Sequence, residues 1–453
     1  MTRPLPARLP IFLATLVVSV AITGCQTSAD GAAAGLADVG ANASGGGDGG
    51  PGSTGGGDGG DDDSGLEDAA PTAADASAGA DAASTPGDAQ VALTPDESAF
   101  QAALVLYDGQ QYAEAQSALE QFLTDYPTSV RADNATYLVA RCRFELRDFV
   151  DARARFTAFL ATFPDSSLVD DARYYLARCA YELAEFAVAA GEFTRFVAAF
   201  PDSALVDNAQ YYLARCDYEI GDFAGAIAAC DAVISIGDSD QRDGCLYWAA
   251  RAADAWGEQE GPGSARFADA ERYFETLFTD YPGGVYEDNG RYGYGMVAYH
   301  REDFPTALDR LDAMRRDFPR STYADNAWYF STRCRYHLAD YATAITEFEA
   351  FIAASPASDY LDDSTYYLGR SHYELARQTG DSMEYEAALV VLDVVTTDFS
   401  DGLYGDNAWY YKLRSHIALG RCAEAQQDAD ALAARYPDST YNAQAQSHLA
   451  TDC

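Results

Sequence analysis

Four rows of side chains recur along this sequence at spacings that could do binding chemistry. Asn or Asp stands at Asn134, Asp171, Asn208, Asn289, Asn326, Asp363 and Asn407. Tyrosine follows three residues later, at Tyr137, Tyr174, Tyr211, Tyr292, Tyr329, Tyr366 and Tyr410. Four residues on, arginine appears at Arg141, Arg178, Arg215, Arg333, Arg370 and Arg414. Three further, an aromatic stands at Phe144, Tyr181, Tyr218, Tyr299, Tyr336 and Tyr373. Steps of three, four and three put all four rows on one face of a helix. An amide can bond a peptide backbone at two points. A guanidinium can fork a carboxylate or lie on a ring, and a phenol offers contact area with a polar tip. Such a wall suits an extended peptide or a partner helix. The same arginines and tyrosines could instead brace neighbouring copies of the motif, each Arg paired with an acid of its own wall.

Catalytic constellations are not legible. The sequence has no glycine-rich phosphate loop, no HExxH and no Gly-x-Ser-x-Gly elbow. Its five histidines, His300, His337, His372, His416 and His448, are scattered. His300 and His337 hold equivalent slots one repeat apart, roughly 10 Å, which is too far to share a metal ion. No enzyme activity, cofactor or metal is expected.

The rows are positioned by a repeat. Breaks of the type aromatic-Pro, or their equivalents, fall at Pro127, Pro164, Pro201, about Asp238, Pro282, Pro319, Pro356, Ser400 and Pro437. Their spacing is 37 residues except for two steps of 44. Each unit reads as two helices. Helix A is of the type VDNAQYYLARCDYEI and carries the four rows. Helix B is amphipathic, as in Ala189, Phe193, Phe196 and Phe200. A turn such as Gly221-Asp222-Phe223 separates them, and Pro-Asp-Ser between units is expected to stop one helix and cap the next. Three residues after each turn aromatic stands an alanine: Ala115, Ala152, Ala189, Ala226, Ala270, Ala307, Ala344, Ala388 and Ala425. Only a small side chain lets two helices cross closely. The expectation is an all-α solenoid of nine helix pairs from 96 to 453, closed by a single capping helix, Tyr441 to Cys453. The two longer units carry extra residues at the A-to-B turn, 257–266 and 377–384, expected as surface insertions or projecting contact loops.

Ahead of the array, Arg3 and Arg8 precede an apolar run from Ile11 to Ile22 that is too short to span a bilayer. It ends in Ile22-Thr23-Gly24-Cys25, which resembles the lipobox of bacterial lipoproteins. That resemblance implies a signal peptide over 1–24 and diacylation of Cys25. Residues 25–95 hold Gly, Ala, Asp, Ser and Pro with no aromatic and no basic residue. Too little apolar surface is available there to offset chain entropy, so a disordered tether is expected, spanning roughly 45–50 Å. Asp61-Asp62-Asp63 reads as solvated linker rather than a calcium site. The net charge of −41 repels phosphate backbones, so nucleic acid and anionic lipid are poor partners and no nucleic acid is expected. The membrane is met only through the lipid.

The helix-A small residue (Ala140, Ala177, Ala214, Gly369), the Gly-Asp-aromatic turn, the helix-B alanine, the large apolar residue four later and the terminal proline together resemble the tetratricopeptide repeat family. The 37-residue form, with its YP-x-S connector and ARC-x-YELGDF wording, is similar to the periplasmic and outer-membrane lipoprotein branch containing BamD and CpoB. The resemblance implies a membrane-anchored scaffold in the bacterial envelope, facing the periplasm, that binds peptide or protein partners on the concave face of its A helices. It also leaves open a part in outer-membrane β-barrel assembly or in coordinating cell division. A third reading is an accessory that binds cell-wall polymer in an aromatic groove.

Nine cysteines in an exported chain invite disulfides. Cys142, Cys179, Cys216 and Cys334 share one slot, seven residues before the turn aromatic. Equivalent atoms in neighbouring pairs lie roughly 8–10 Å apart, beyond the reach of a bridge, so these four are expected to be free core residues. Cys230 and Cys245 sit symmetrically about the connector that lacks its aromatic-Pro, and Cys422 and Cys453 fall at the same end of parallel A-type helices. The expected bridges are Cys230–Cys245 and Cys422–Cys453.

Overall fold

The computed structural model describes residues 93–400 and 402–453. The signal segment, Cys25 and all but the last three residues of the tether lie outside them. The described chain is nineteen helices and no strand. Nine A–B pairs run α1 (Pro95–Asp108) and α2 (Tyr112–Asp125), α3 (Ala132–Glu145) and α4 (Phe149–Thr162), α5 (Val169–Glu182) and α6 (Phe186–Ala199), α7 (Val206–Glu219) and α8 (Phe223–Ile236), and α9 (Arg242–Glu260) and α10 (Arg266–Asp280). They continue with α11 (Glu287–His300) and α12 (Phe304–Asp317), α13 (Ala324–His337) and α14 (Tyr341–Ala354), α15 (Leu361–Thr379) and α16 (Ser382–Asp398), and α17 (Gly405–Ala418) and α18 (Cys422–Arg435). The single helix α19 (Tyr441–Asp452) closes the stack against α17 and α18. Each helix packs on the next, and A helices of successive pairs also touch. This is an α-solenoid.

The helices form where the apolar period demands them, and packing rather than propensity holds them. In α6 the buried residues are Ala189, Ala190, Phe193 and Phe196, one stripe facing α5 and α7. All nine helix-B alanines are fully buried at 0 % exposure. Where helix A carries glycine in its small slot, a leucine fills the space: a Cβ on Gly295 would stand 2.6 Å from Leu311, and one on Gly369 would stand 2.8 Å from Leu392.

The A-to-B turn is a Schellman motif. After α3, the Arg147 N–H bonds Phe144 O at 2.8 Å and the Asp148 N–H bonds Arg143 O at 2.9 Å. The geometry requires a left-handed residue. Gly221 and Gly420 supply it in two turns, but Gln110, Arg147, Ala184, Glu302 and Ala339 carry the same positive φ with a Cβ. That conformation costs roughly 1–2 kcal/mol outside glycine. We expect Ala184→Gly to raise stability by about 0.5–1 kcal/mol, the relief being partly offset by the looser unfolded chain, measurable as an upward shift in thermal or urea midpoint.

The B-to-A connector works differently from the expected cap. The residues flanking the A helices are Arg131, Leu168, Leu205, Gln241 and a run of tyrosines, and none makes a side-chain cap. The connector serine instead clips two pairs together. Ser129, Ser166, Ser203, Ser239 and Ser439 donate to Asp96, Asp133, Asp170, Asp207 and Asp406 of the preceding A helix at 2.6–2.8 Å. Each hydroxyl also accepts the N–H two residues on. The insertions are not projecting loops. They lengthen α9 and α15 to 19 residues and α16 to 17, against 14 in an ordinary helix of the array. The extension of α9 is packed: the Arg266 guanidinium lies 3.7 Å from the Trp256 ring, and Gly257 sits against Phe267.

Cys422 and Cys453 are bonded, with Cα atoms 5.6 Å apart, tying α19 to the start of α18. Such a bridge contributes about 3 kcal/mol in the chain-entropy account. Cys230 and Cys245 are not bonded; both are buried thiols. They do touch, since the two thiols share a hydrogen bond that, after burial itself, pushes the Cys245 thiol far up. A thiol so buried yields little of the thiolate that attacks to form a bridge. Cys142, Cys179, Cys216 and Cys334 are free and buried, and burial pushes each up to about 12.

Candidate interaction wall and its buried ladder

The rows expected to line an open wall are divided by the fold. Tyr137, Tyr174, Tyr211, Tyr329, Tyr366, Tyr336 and Tyr373 are buried, as are Arg141, Arg178, Arg215 and Arg370 and also Asn208. These side chains lie between repeats rather than facing a partner. Asn134, Asp171, Asn326, Tyr181, Tyr218 and Arg333 keep part of their surface exposed.

The buried members form a ladder. Arg141 donates to the Tyr137 hydroxyl at 3.4 Å and to Glu145 at 2.6 Å, both on its own helix. Its guanidinium lies over the Tyr175 ring of the next A helix, 3.7 Å from the ring centre. Phe156 stacks on that same ring at 5.8 Å and 18°. The next rung repeats the arrangement: Arg178 bonds Tyr174 and Glu182 at 3.4 and 2.8 Å and covers the Tyr212 ring at 3.7 Å, with Phe193 stacked at 5.9 Å. Further along, Arg215 faces Trp248 at 5.0 Å, Arg333 faces Tyr367 at 4.5 Å, and Arg370 covers Tyr411 at 3.3 Å. Arg414 ends the series on His448 at 2.8 Å. A planar cation on a ring suits arginine and not lysine. Burial pushes the phenols of Tyr137 and Tyr329 well up, so they stay neutral donors and acceptors.

Sequence reasoning missed the receiving ring. It is the residue after the tyrosine in five A helices, visible as the doublets Tyr174-Tyr175, Tyr211-Tyr212, Tyr247-Trp248, Tyr366-Tyr367 and Tyr410-Tyr411. It also missed Arg251, whose helix has Gly244 in the Asn slot; Arg251 bonds the Tyr247 and Tyr218 hydroxyls at 2.9 and 2.8 Å. A second stack appears only from Tyr286 onward. Tyr286, Tyr323, Tyr360, Tyr404 and Tyr441 lie on the row tyrosine of the preceding pair at 4.3–5.0 Å.

The Asn/Asp row joins neighbours too. Asn326 donates to the Tyr360 hydroxyl at 3.3 Å and Asn407 to Tyr441 at 2.8 Å. In the same slot, Asp363 accepts from Tyr329 at 2.9 Å. Burial raises the Asp363 carboxyl to about 6 despite that bond. A carboxyl whose folded value is raised holds its proton better when folded. Stability from this site is therefore present below pH ~4 and is lost as pH rises through ~6. We expect Asp363→Asn to raise the melting temperature at pH 7.5 and to leave it unchanged near pH 4.

Among the described residues no cluster of His, Cys, Asp or Glu could hold a metal ion. None of their helices is long and apolar enough to cross a membrane.

A tetratricopeptide repeat profile matches residues 180–241. Similar solved structures include a tetratricopeptide repeat protein from Parabacteroides merdae, at 12 % identity over 61 % of this chain and 98 % of that one, TM-score 0.41. PilW, a type IV pilus biogenesis factor, is 18 % identical over 52 % of this chain and 99 % of its own, TM-score 0.40. The C-terminal part of a repeat protein from Cytophaga hutchinsonii is 14 % identical over 60 % and 98 %, TM-score 0.46. No curated protein sequence matches the chain. The profile of the YfiO family, described as outer membrane lipoprotein, matches residues 93–184 and 286–451, more than half the chain, so the protein belongs to the YfiO family of outer membrane lipoproteins.

Proposed function

We propose that the protein is a lipid-anchored scaffold of the bacterial envelope, held by Cys25 and a tether over 25–95, whose array grips a peptide or protein partner along its A helices. The observation that carries this is the division of the rows. An arginine–tyrosine ladder is buried, and beside it Asn134, Asp171 and Asn326 keep part of their surface exposed, as do Tyr181 and Tyr218. Amide, carboxylate and phenol groups spread along one wall can grip one partner at several points. Membership of the YfiO family supports the envelope setting and, more finely, a part in assembling the outer membrane. The reading needs no cofactor, nucleic acid or catalytic residue. A photo-crosslinking residue placed at 134, 171 or 326 in living cells should trap the same protein each time. The same probe at the exposed helix-B residue Val188 should trap none. Equal capture from both faces, or none from the A face, would overturn the assignment.

A further inference from the structure

We propose that the sixth helix pair, α11 and α12, is a built-in joint dividing the array into two cooperative blocks. Four observations converge there. The arginine–ring stack lapses on both sides of α11. Arg251 of α9 should meet a ring at position 293, but Gly293 stands there, and a Cβ would lie 2.6 Å from the Phe274 ring that fills the space. Arg251 turns back to Tyr247 and Tyr218 instead. On the other side, the arginine slot of α11 is Met296, part of a small cluster against which Phe330 of α13 packs. The first interface of the array also lacks the stack, with Leu104 and Leu138 in the two slots, but it ends the array and joins nothing beyond.

Helix propensity falls at the same place. Gly290, Gly293 and Gly295 lie within six residues of α11, and each costs about 1 kcal/mol relative to alanine. The hydrophobic core parts there as well. One continuous cluster runs from Phe100 to Val297, another from Tyr329 to Ala445, and a small separate one around Met296, Leu311 and Met314 lies between. Met314 takes the slot held by Phe159, Phe196 and Phe351 in other pairs, and beside it opens a cleft of about 390 Å3 bordered by Arg291, Tyr294, Arg310 and Phe318.

α10 meets this pair through Phe274, Leu277 and Phe278, packed against Gly290, Gly293 and Tyr294 of α11, and through polar contacts near the surface. Glu271 meets Arg301 at 3.2 Å and Arg310 at 2.8 Å, and the Tyr294 hydroxyl donates to Glu275 at 2.9 Å. In a solenoid, cooperativity passes only through nearest-neighbour interfaces. Where the arginine–ring contact is missing and part of what remains is screened ion pairs, coupling weakens, and the two blocks can change their angle around a bound partner without losing their own ladders.

Hydrogen exchange on the full chain tests this. Amides of α11 and α12 should exchange about tenfold faster than those of α5 and α15. The difference should widen in ~1 M salt, where the Debye length is about 3 Å. Met296→Arg supplies a guanidinium four residues after Tyr292, in the cluster against which Phe330 packs, and should slow exchange in α11. Arg178→Met should open a second fast segment at α5 to α7. Uniform protection along the wild-type chain, insensitive to salt, would overturn the joint whether or not Met296→Arg folds. So would a folded Met296→Arg chain whose α11 exchange is unchanged.

Discussion

Arg178→Met should destabilise the array by about 2–4 kcal/mol, although methionine matches the arginine stem in length and the slot is buried. The guanidinium at this position does three things. It covers the Tyr212 ring, it bonds the Tyr174 hydroxyl, and it neutralises Glu182. A desolvated cation–π contact contributes about 2 kcal/mol. Removing one partner of a buried charged pair adds the cost of stranding the other, here softened because Glu182 remains 22 % exposed. Arg178→Lys should not rescue, since a compact ammonium cannot lie flat on Tyr212 while forking to Tyr174 and Glu182. Adding Glu182→Gln to Arg178→Met should recover part of the loss. Urea midpoints of the four proteins check all of this. Equal stability of the lysine and wild-type chains would mean that charge alone, not planar stacking, holds the pairs together.

Ala189→Leu should cost about 3 kcal/mol or prevent pairs three and four from assembling. Ala189 has no exposed surface and stands where α6 crosses its neighbouring helices. The interior around it is already filled by Phe193, Tyr174 and Tyr212. Added methylenes in a packed core typically cost 1–3 kcal/mol, or more where both backbones would have to part. Ala189→Gly removes volume instead and should cost only about 1 kcal/mol, its helix-propensity loss. The contrast between the two variants separates overpacking from a general sensitivity of the site. The nine alanines share this environment, so Ala152→Leu should behave alike.

These two sites mark how differently the sequence could be read. The alanine slot was legible because its reason is local: a small residue, in phase with one turn, recurring nine times. The repeat, the pair count and the free Cys142, Cys179, Cys216 and Cys334 followed in the same way. The role of the arginine row was not legible. The offsets from Asn134 to Tyr137 to Arg141 say that three side chains share a face, but not what that face meets. A face that repeats can be displayed to a partner or consumed by the next copy, and periodicity is identical in both cases.

The connector shows the same limit. Pro-Asp-Ser stops a helix for a reason visible in the residues, since proline lacks the N–H. That Ser166 reaches back to Asp133 rather than capping α5 depends on how far apart two pairs settle. The seven-residue insertions were found by counting, yet that the first lengthens α9 goes with the packing of Trp256 and Phe267, which counting does not show.

By itself, then, the sequence determined the all-α class, the unit of 37 residues, the small residues where helices cross and the kinship with tetratricopeptide lipoproteins, because each is written in local spacing. The tertiary structure decided that the arginines and tyrosines are mortar between repeats, that Cys230 and Cys245 meet as thiols, and that the ladder lapses around α11. Those outcomes depend on the distance and rotation from one A helix to the next, which only the stacked array defines.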